Sequence, residues 1–297
     1  MSRLADPEIF LEEARQLRIS KCPGLGDSKD ERREQAIKLY IKAGNLFMAT
    51  YRFEEAAQVF LEGSELHEML KDRFQQADSL RKAADNFVKA QELEKAKRAY
   101  LEAAQIWIED YGNFQKAGQI HEILGHLAKE EGEKEKALKM YKDALRFYQV
   151  EGGYKADNCK LKIAELQVEE KQYVEAGTFY EILGKESLDS PLRRFSARKY
   201  FLQAGLCFFL ADPSSLTGIV DTYKALDHSL ASSAEAALLN ACVQSWEESW
   251  EESSLEIFQT AIEEHSQVHT LDNFQVALLL SVKLMLEARE EEPIDLR

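Results

Sequence analysis

Small and aromatic residues recur on one helical face along most of the chain. Ala56, Phe60 and Gly63 stand at i, i+4 and i+7, the spacing that puts three side chains on a single side of an α-helix. The same spacing returns at Ala36/Tyr40/Ala43, Ala96/Tyr100/Ala103, Ala137/Tyr141/Ala144, Ala176/Tyr180/Leu183 and Ala197/Phe201/Ala204. Weaker copies begin at Ala77, Ala117 and Ala156, with Arg81, His121 and Lys160 in the aromatic slot. The leading alanines follow one another at 19 to 21 residues over a span of 161. One helix plus a short loop fills such a unit, so helix pairs should repeat about every 40 residues. The small residues let neighbouring helix axes approach, and the aromatic fills the space between them. This pattern predicts an all-α fold: a tetratricopeptide-like right-handed α-solenoid of about nine repeat helices, with an N-terminal helix and a C-terminal helical bundle. HEAT-like repeats share the period, but the small-aromatic-small signature favours the tetratricopeptide type.

The expected division is 1–30 for an N-terminal helix and loop, 31–212 for the solenoid, 213–289 for the bundle and 290–297 for an acidic tail. Residues 6–18 read as the first helix, with Asp6 as N-cap and Pro7 at the first helical position. Pro23, Gly24 and Gly26 mark a loop after it. Turn or charge signals separate the repeat helices at Tyr51-Arg52, Lys71-Asp72-Arg73, Tyr111-Gly112-Asn113, Glu131-Gly132-Glu133 and Gly152-Gly153. The longest connection is expected from Gly184 to Arg193, with Asp189-Ser190-Pro191 starting the next helix. Four helices should follow Pro213, at 214–227, 231–247, 254–266 and 270–289, the third opened by a capping box of Ser253 and Glu256. The last of them is apolar on nearly all sides from Phe274 to Leu286, so it is expected at the buried centre of the bundle.

Composition narrows the function classes. With 45% hydrophobic and 31% charged residues, the chain can bury a large core and still clothe long helices in charge. No apolar run reaches membrane-spanning length, and four unpatterned cysteines (Cys22, Cys159, Cys207, Cys242) form no CxxC pair, which predicts a soluble cytosolic protein without disulfides. Net charge is −15, of which residues 244–297, with 13 acids and 3 bases, carry −10. Such a balance argues against nucleic acid and for a basic partner at the C-terminal end.

Candidate chemistry is sparse. His121-Glu122 and His126 imitate a zinc-protease helix, but residues five apart point about 140° apart, whereas a metal pair needs i, i+4. Gly184-Lys185-Glu186-Ser187 lacks the upstream glycine and strand of a P-loop. No catalytic constellation, cofactor or metal site is expected. Basic residues cluster at Lys155, Lys160 and Lys162, and at Arg193, Arg194, Arg198 and Lys199. A solenoid lines up equivalent positions on its concave face, so these could form a stripe for an acidic helical partner. Trp246 and Trp250, at i and i+4, should face inward and leave Glu248, Glu251 and Glu252 in solvent.

Over nearly its whole length the chain resembles the soluble NSF attachment proteins of the alpha type. The stretches that carry the resemblance are 36–47 (AIKLYIKAGNLF), 137–148 (ALKMYKDALRFY), 156–164 (ADNCKLKIA), 189–207 (DSPLRRFSARKYFLQAGLC), 270–274 (TLDNF) and the final Asp295-Leu296-Arg297. The resemblance implies a cytoplasmic adaptor, not an enzyme, that is a monomer when free and reaches membranes peripherally. Such adaptors wrap a SNARE four-helix bundle and recruit a hexameric AAA+ ATPase that unwinds it after membrane fusion. The ATPase-facing acids match Asp212, Glu248, Glu251 and Glu252, with Glu290, Glu291, Glu292, Asp295 and Leu296 in the tail. On the SNARE-facing side Lys162 and Arg198 match. Three further basic positions fall on neutral Asn113, Gln119 and Asn158, with Lys116, Lys160 and Arg194 nearby as substitutes. The family's membrane loop keeps only Leu25, which implies weak membrane contact. The rival reading from the residues alone is a general tetratricopeptide peptide-binding scaffold of another cytosolic complex.

Overall fold

A computed structural model describes residues 6–19, 28–151, 154–247 and 254–290 of the chain. Among the described residues the regular structure is entirely helical, and it falls into two compact units, Met1–Gly153 and Tyr154–Arg297. The first holds α1 (Pro7–Ile19), α2 (Lys29–Ala49), α3 (Phe53–Met69), α4 (Arg73–Lys89), α5 (Leu93–Tyr111), α6 (Phe114–Glu130) and α7 (Lys134–Glu151). The second holds α8 (Tyr154–Glu169), α9 (Tyr173–Leu188), α10 (Arg194–Ala211), α11 (Leu216–Leu226), α12 (Ala234–Glu247), α13 (Ser254–Val268) and α14 (Asn273–Glu290), with 3-10 turns at Pro213–Ser215 and His228–Ser232. The repeat helices α2–α10 are the predicted tetratricopeptide-type helices, and all nine leading alanines are buried.

The 20-residue beat is kept by one turn used again and again. Six of the repeat helices, α2 to α6 and α8, are followed by a residue in the left-handed region: Tyr51, Lys71, Gln91 and Lys171 at φ between 58° and 62°, Gly112 at 57° and Gly132 at 79°. The next N–H then reaches back to a carbonyl in the last helical turn: Arg52 to Phe47, Asp72 to His67 and Glu92 to Phe87, each at 2.9 Å, and Gln172 to Gln167 at 2.7 Å. These bonds satisfy carbonyls that the helix end leaves open. A non-glycine residue there costs about 1–2 kcal/mol, so hydrogen bonding and packing hold a geometry that Gln91 and Lys171 do not announce.

Neighbouring helices are spaced by aromatic rings seated on glycine. The position a Cβ would take on Gly125 lies 2.7 Å from the ring of Tyr141, and that on Gly118 lies 2.7 Å from the ring of Tyr148. Phe201 and Phe208 sit on Gly184 and Gly177 in the same way, at 2.6 and 2.9 Å, and Phe60 on Gly44 at 2.8 Å. Gly184 therefore belongs to the body of α9, which runs on to Leu188, and is not the start of a long connection. The connection is short because α9 cannot end before it has delivered Gly184 to Phe201. The following turn spans Pro191 to Arg193, and α10 starts at Arg194, later than Asp189-Ser190-Pro191 suggested.

In the first unit the helices from α1 to α7 pack in chain order, each on the next. The second unit is built differently, since α10 touches α9, α11, α12 and α14. Its Ala197, Phe201, Leu202, Ala204, Leu206, Cys207 and Phe209 are all buried, so α10 and not α14 is the central helix. On α14, Leu278, Leu279, Val282 and Leu286 face inward, while Val276, Leu280 and Leu284 stay about half exposed. Its apolar residues exceed what one buried stripe can use. The expected boundary at 212 falls inside the second unit, and the capping box at Ser253 lies outside the described residues.

The two classes of glycine separate in a stability measurement. Phe201 is fully buried and stacked on Tyr223, with ring centroids 4.5 Å apart, so it cannot yield to a new methyl group. Gly184→Ala should lower unfolding free energy by about 1–3 kcal/mol through overpacking. At Gly63 the nearest atom to a new Cβ is the Tyr40 Cβ at 3.8 Å, an ordinary contact. Gly63→Ala should raise stability by about 0.5–1 kcal/mol, because alanine is the better helix former. Denaturant titration of both variants checks the opposite signs.

Candidate docking surfaces

The basic residues singled out in the sequence take quite different places. In the second unit Lys160 and Lys162 stand two apart on α8, so they point about 200° apart around its axis. Lys162 is half-buried near the surface, whereas Lys160 departs from the expected surface position and is buried. Its ammonium bonds the Glu186 carboxylate and lies 3.4 Å from Asp157 Oδ1. The reason is its place in the repeat: Lys160 fills the aromatic slot after Ala156, which faces inward, so the charge needs internal partners. Asn158 is exposed on the same helix.

Arg194 and Arg198 are one turn apart on α10 and share its outer side. Arg194 is exposed. Arg198 leans toward the start of the α11–α12 connection, where its Nη2 donates to Ser229 Oγ at 2.8 Å and its Nε lies 3.9 Å from Asp227 Oδ2. Asp227 is buried and also accepts from the Ser229 amide at 3.1 Å and hydroxyl at 2.6 Å. Lys199 pairs instead with Asp272 at 2.8 Å, which ties α10 to the head of α14.

Two side chains here escaped the sequence reading. Leu192 is 94% exposed and Phe195 is 83% exposed, the most exposed large apolar residues among those described. Phe195 follows Arg194 directly and stands about 200° from the buried Ala197. Both stand close in sequence to Arg193, Arg194 and Arg198, so the corner from Leu192 to Arg198 carries two exposed apolar side chains and three cations. The signal was present: neither residue falls on the small-aromatic-small face set by Ala197, Phe201 and Ala204.

In the first unit Lys116 sits between two rings, its ammonium 4.2 Å from the centroid of Phe74 and 4.4 Å from that of Trp107. Burial lowers its pKa, and the ring faces attract the charged form. Asn113 is neutral for a local reason, since its side chain caps α6 by accepting from the Lys116 amide at 3.1 Å. Gln119 is exposed.

At the acidic end, Asp212 is exposed and caps the turn at Pro213–Ser215, accepting from the Ser214 amide at 3.0 Å and hydroxyl at 2.6 Å. The guanidinium of Arg289 stacks 3.5 Å over the ring of Trp246, which meets Phe209 edge-on, so the last turns of α12 and α14 are joined. Glu290 closes α14. Leu25, Glu248, Trp250, Glu251, Glu252, Glu291, Glu292, Asp295 and Leu296 lie outside the described residues. Among the described residues no helix is long and apolar enough to cross a membrane. No group of three or more His, Cys, Asp or Glu among them could hold a metal; His121 instead bonds the Ala117 carbonyl at 2.9 Å and His126 packs on Tyr141.

A family model described as "Soluble NSF attachment protein, SNAP" matches residues 5–287. The chain belongs to the soluble NSF attachment protein family. It is 28% identical to the alpha-soluble NSF attachment protein of Mus musculus, over 87% of this chain and 86% of that one. The beta-soluble NSF attachment protein of Bos taurus is also 28% identical, over 89% and 87%. A probable vesicular-fusion protein sec17 homolog of Neurospora crassa matches at 28% over 97% and 98%. The match to the soluble NSF attachment proteins runs into the last turn of α14 and stops before Glu290.

Arg198 is a structural partner as well as a surface cation, and this decides how it can be probed. Arg198→Glu sets a second carboxylate against the buried Asp227 and should cost about 1–2 kcal/mol of stability. Arg198→Gln keeps a donor for Ser229 and should cost less than about 1 kcal/mol. Thermal unfolding of the two variants side by side tests the difference.

Proposed function

We propose that this chain is an adaptor that grips a SNARE four-helix bundle and brings a hexameric AAA+ ATPase of NSF type to it, so that ATP hydrolysis separates the bundle after membrane fusion. Family membership supports a part in SNARE-complex disassembly and vesicle-mediated transport, since its relatives bear the names of NSF attachment and vesicular-fusion proteins. The observation that carries the reading to residues is the α10 corner, where Arg194 and Arg198 flank the exposed Leu192 and Phe195. Cations draw in an acidic helical bundle and set its register, with an attraction that salt screens. Burying the two apolar side chains then adds roughly 1.5–3 kcal/mol each before ordering costs. Lys162 and Lys116 extend the basic character within their own units.

The acidic end does a separate job. Asp212, Glu248, Glu251, Glu252, Glu290, Glu291, Glu292 and Asp295 attract a basic ATPase surface over distance, while Leu296 is suited to fill a pocket once docked. Leu25 gives only weak membrane contact, because one leucine cannot hold a protein on a bilayer. The adaptor performs no bond-breaking step itself; that chemistry is the ATPase's. Free in the cytoplasm it is a monomer, and it is peripheral to membranes through its SNARE partners.

Co-sedimentation with a preassembled SNARE bundle tests the basic corner. Lys162→Gln with Arg198→Gln, and separately Leu192→Ser with Phe195→Ser, should each weaken binding several-fold while helical CD stays unchanged. Raising salt from about 50 to about 150 mM should weaken the parent more than the charge-neutralised variant. Parent-like affinity in both variants would remove the corner from the interface. At the other end, Leu296→Ala should still assemble with SNAREs and ATPase yet stimulate ATP turnover poorly, since several adaptors around one hexamer hide a small loss of affinity. Neutralising Glu248, Glu251 and Glu252 should reduce recruitment itself, and turnover equal to the parent's in the Leu296 variant would deny that residue a coupling role.

A further inference from the structure

Of the five basic candidates Lys160 is the buried one, and the charges around it form a chain. Its ammonium bonds Glu186 in the last turn of α9 and lies 3.4 Å from Asp157 Oδ1, one turn back in α8. The other oxygen of Asp157 takes the guanidinium of Arg193. Negative and positive groups thus alternate from Glu186 through Lys160 and Asp157 to Arg193, joining α8, the end of α9 and the turn before α10. Arg193 is the direct neighbour of both Leu192 and Arg194.

The backbone of the turn is held from within. Its backbone bonds are local, with Ser190 O accepting from the amides of Arg193 at 3.0 Å and Arg194 at 2.9 Å. Those bonds shape the turn without tying it to α8. Leu192 and Phe195 face solvent and supply no packing. Arg193 to Asp157 is a direct tie between the turn and α8, and Asp157 is itself paired with Lys160. A buried ion pair is a weak source of net stability, because desolvation offsets the attraction, but it is demanding about geometry. An apolar residue would fill the aromatic slot of the repeat with less desolvation.

We propose that Lys160 is a positioning residue: without touching the SNARE bundle, it holds Asp157 where Asp157 fixes Arg193, and so sets the direction in which Leu192, Arg194 and Phe195 meet the partner. The proposal rests on the reading of that corner as a docking surface, and it names the internal groups that shape it. It also separates Lys160 from Lys162, two residues away, which acts at the surface.

The test uses the full chain with Lys160→Met and Lys160→Arg, each in the parent and in the Leu192→Ser/Phe195→Ser background. Amide exchange in the free protein and affinity for a preassembled SNARE bundle are both measured. Lys160→Met should speed exchange at residues 190–195 by about tenfold, leave the buried amides of α10 at parent rates, and weaken bundle binding about fivefold. Lys160→Arg should recover both. In the background lacking the two apolar side chains, Lys160→Met should cost clearly less affinity than in the parent, since Arg194 is then the one member of the corner left to be misdirected. Equal losses in both backgrounds, or unchanged exchange at the corner, overturn the proposal. Should Lys160→Met fail to fold, Arg193→Met opens the same network from its exposed end and is judged by the same readings. A parent chain that binds no SNARE bundle overturns the docking reading instead, and exchange at the corner then decides the network by itself.

Discussion

An aromatic ring lying on bare backbone sets the distances in this protein. On α6 and α7, Gly118 and Gly125 receive Tyr148 and Tyr141; on α9 and α10, Gly177 and Gly184 receive Phe208 and Phe201. In both pairs the glycines are seven residues apart and the rings run in the opposite chain direction, as two antiparallel helices in contact require. The ring thickness, with no Cβ beneath it, fixes how near the axes come. Once that separation is set, a connection of two or three residues is enough, and the left-handed turn at Tyr51, Lys71, Gln91 and Lys171 supplies it. Helix length follows from bringing the next ring to the next seat.

Much of this was legible because the leading alanines mark the buried face of each repeat helix. All nine are buried, and their spacing alone gives the nine repeat helices. What was illegible shares one cause, that a residue type has more than one use. Glycine at 184 reads as a break when taken for its conformational freedom, yet it serves as a seat for Phe201. Gln91 and Lys171 take a glycine's backbone conformation without being glycine. The apolar run of α14 reads as central, but the centre belongs to α10, which buries Gln203 among its apolar residues and brings Gly205 close to Leu239.

The same ambiguity governs the surfaces. Charge in a sequence says nothing about which way the side chain points, and here the repeat register does. Lys160 occupies the aromatic slot, so its inward direction was readable from Ala156 four residues earlier. Leu192 and Phe195 are the converse, apolar residues off the buried face, readable by their failure to fit it. Arg198 and Lys116 could be placed on the chain but not in their surroundings, since the buried Asp227 comes from the α11–α12 connection and the rings of Phe74 and Trp107 from other helices. Asn113 is neutral because capping α6 occupies it.

The different wiring of the two units bears on how each carries a mechanical load. In the first unit every helix leans on the next, like springs joined end to end, so an applied tension passes undivided through each interface and their extensions add. In the second, α10 is braced by α9, α11, α12 and α14, which share strain side by side. A pull delivered through α14 enters at its contacts with α10 and α13, and α10 then spreads it to α9, α11 and α12. Stiffness is thereby concentrated around α10, and compliance is spread along α1 to α7.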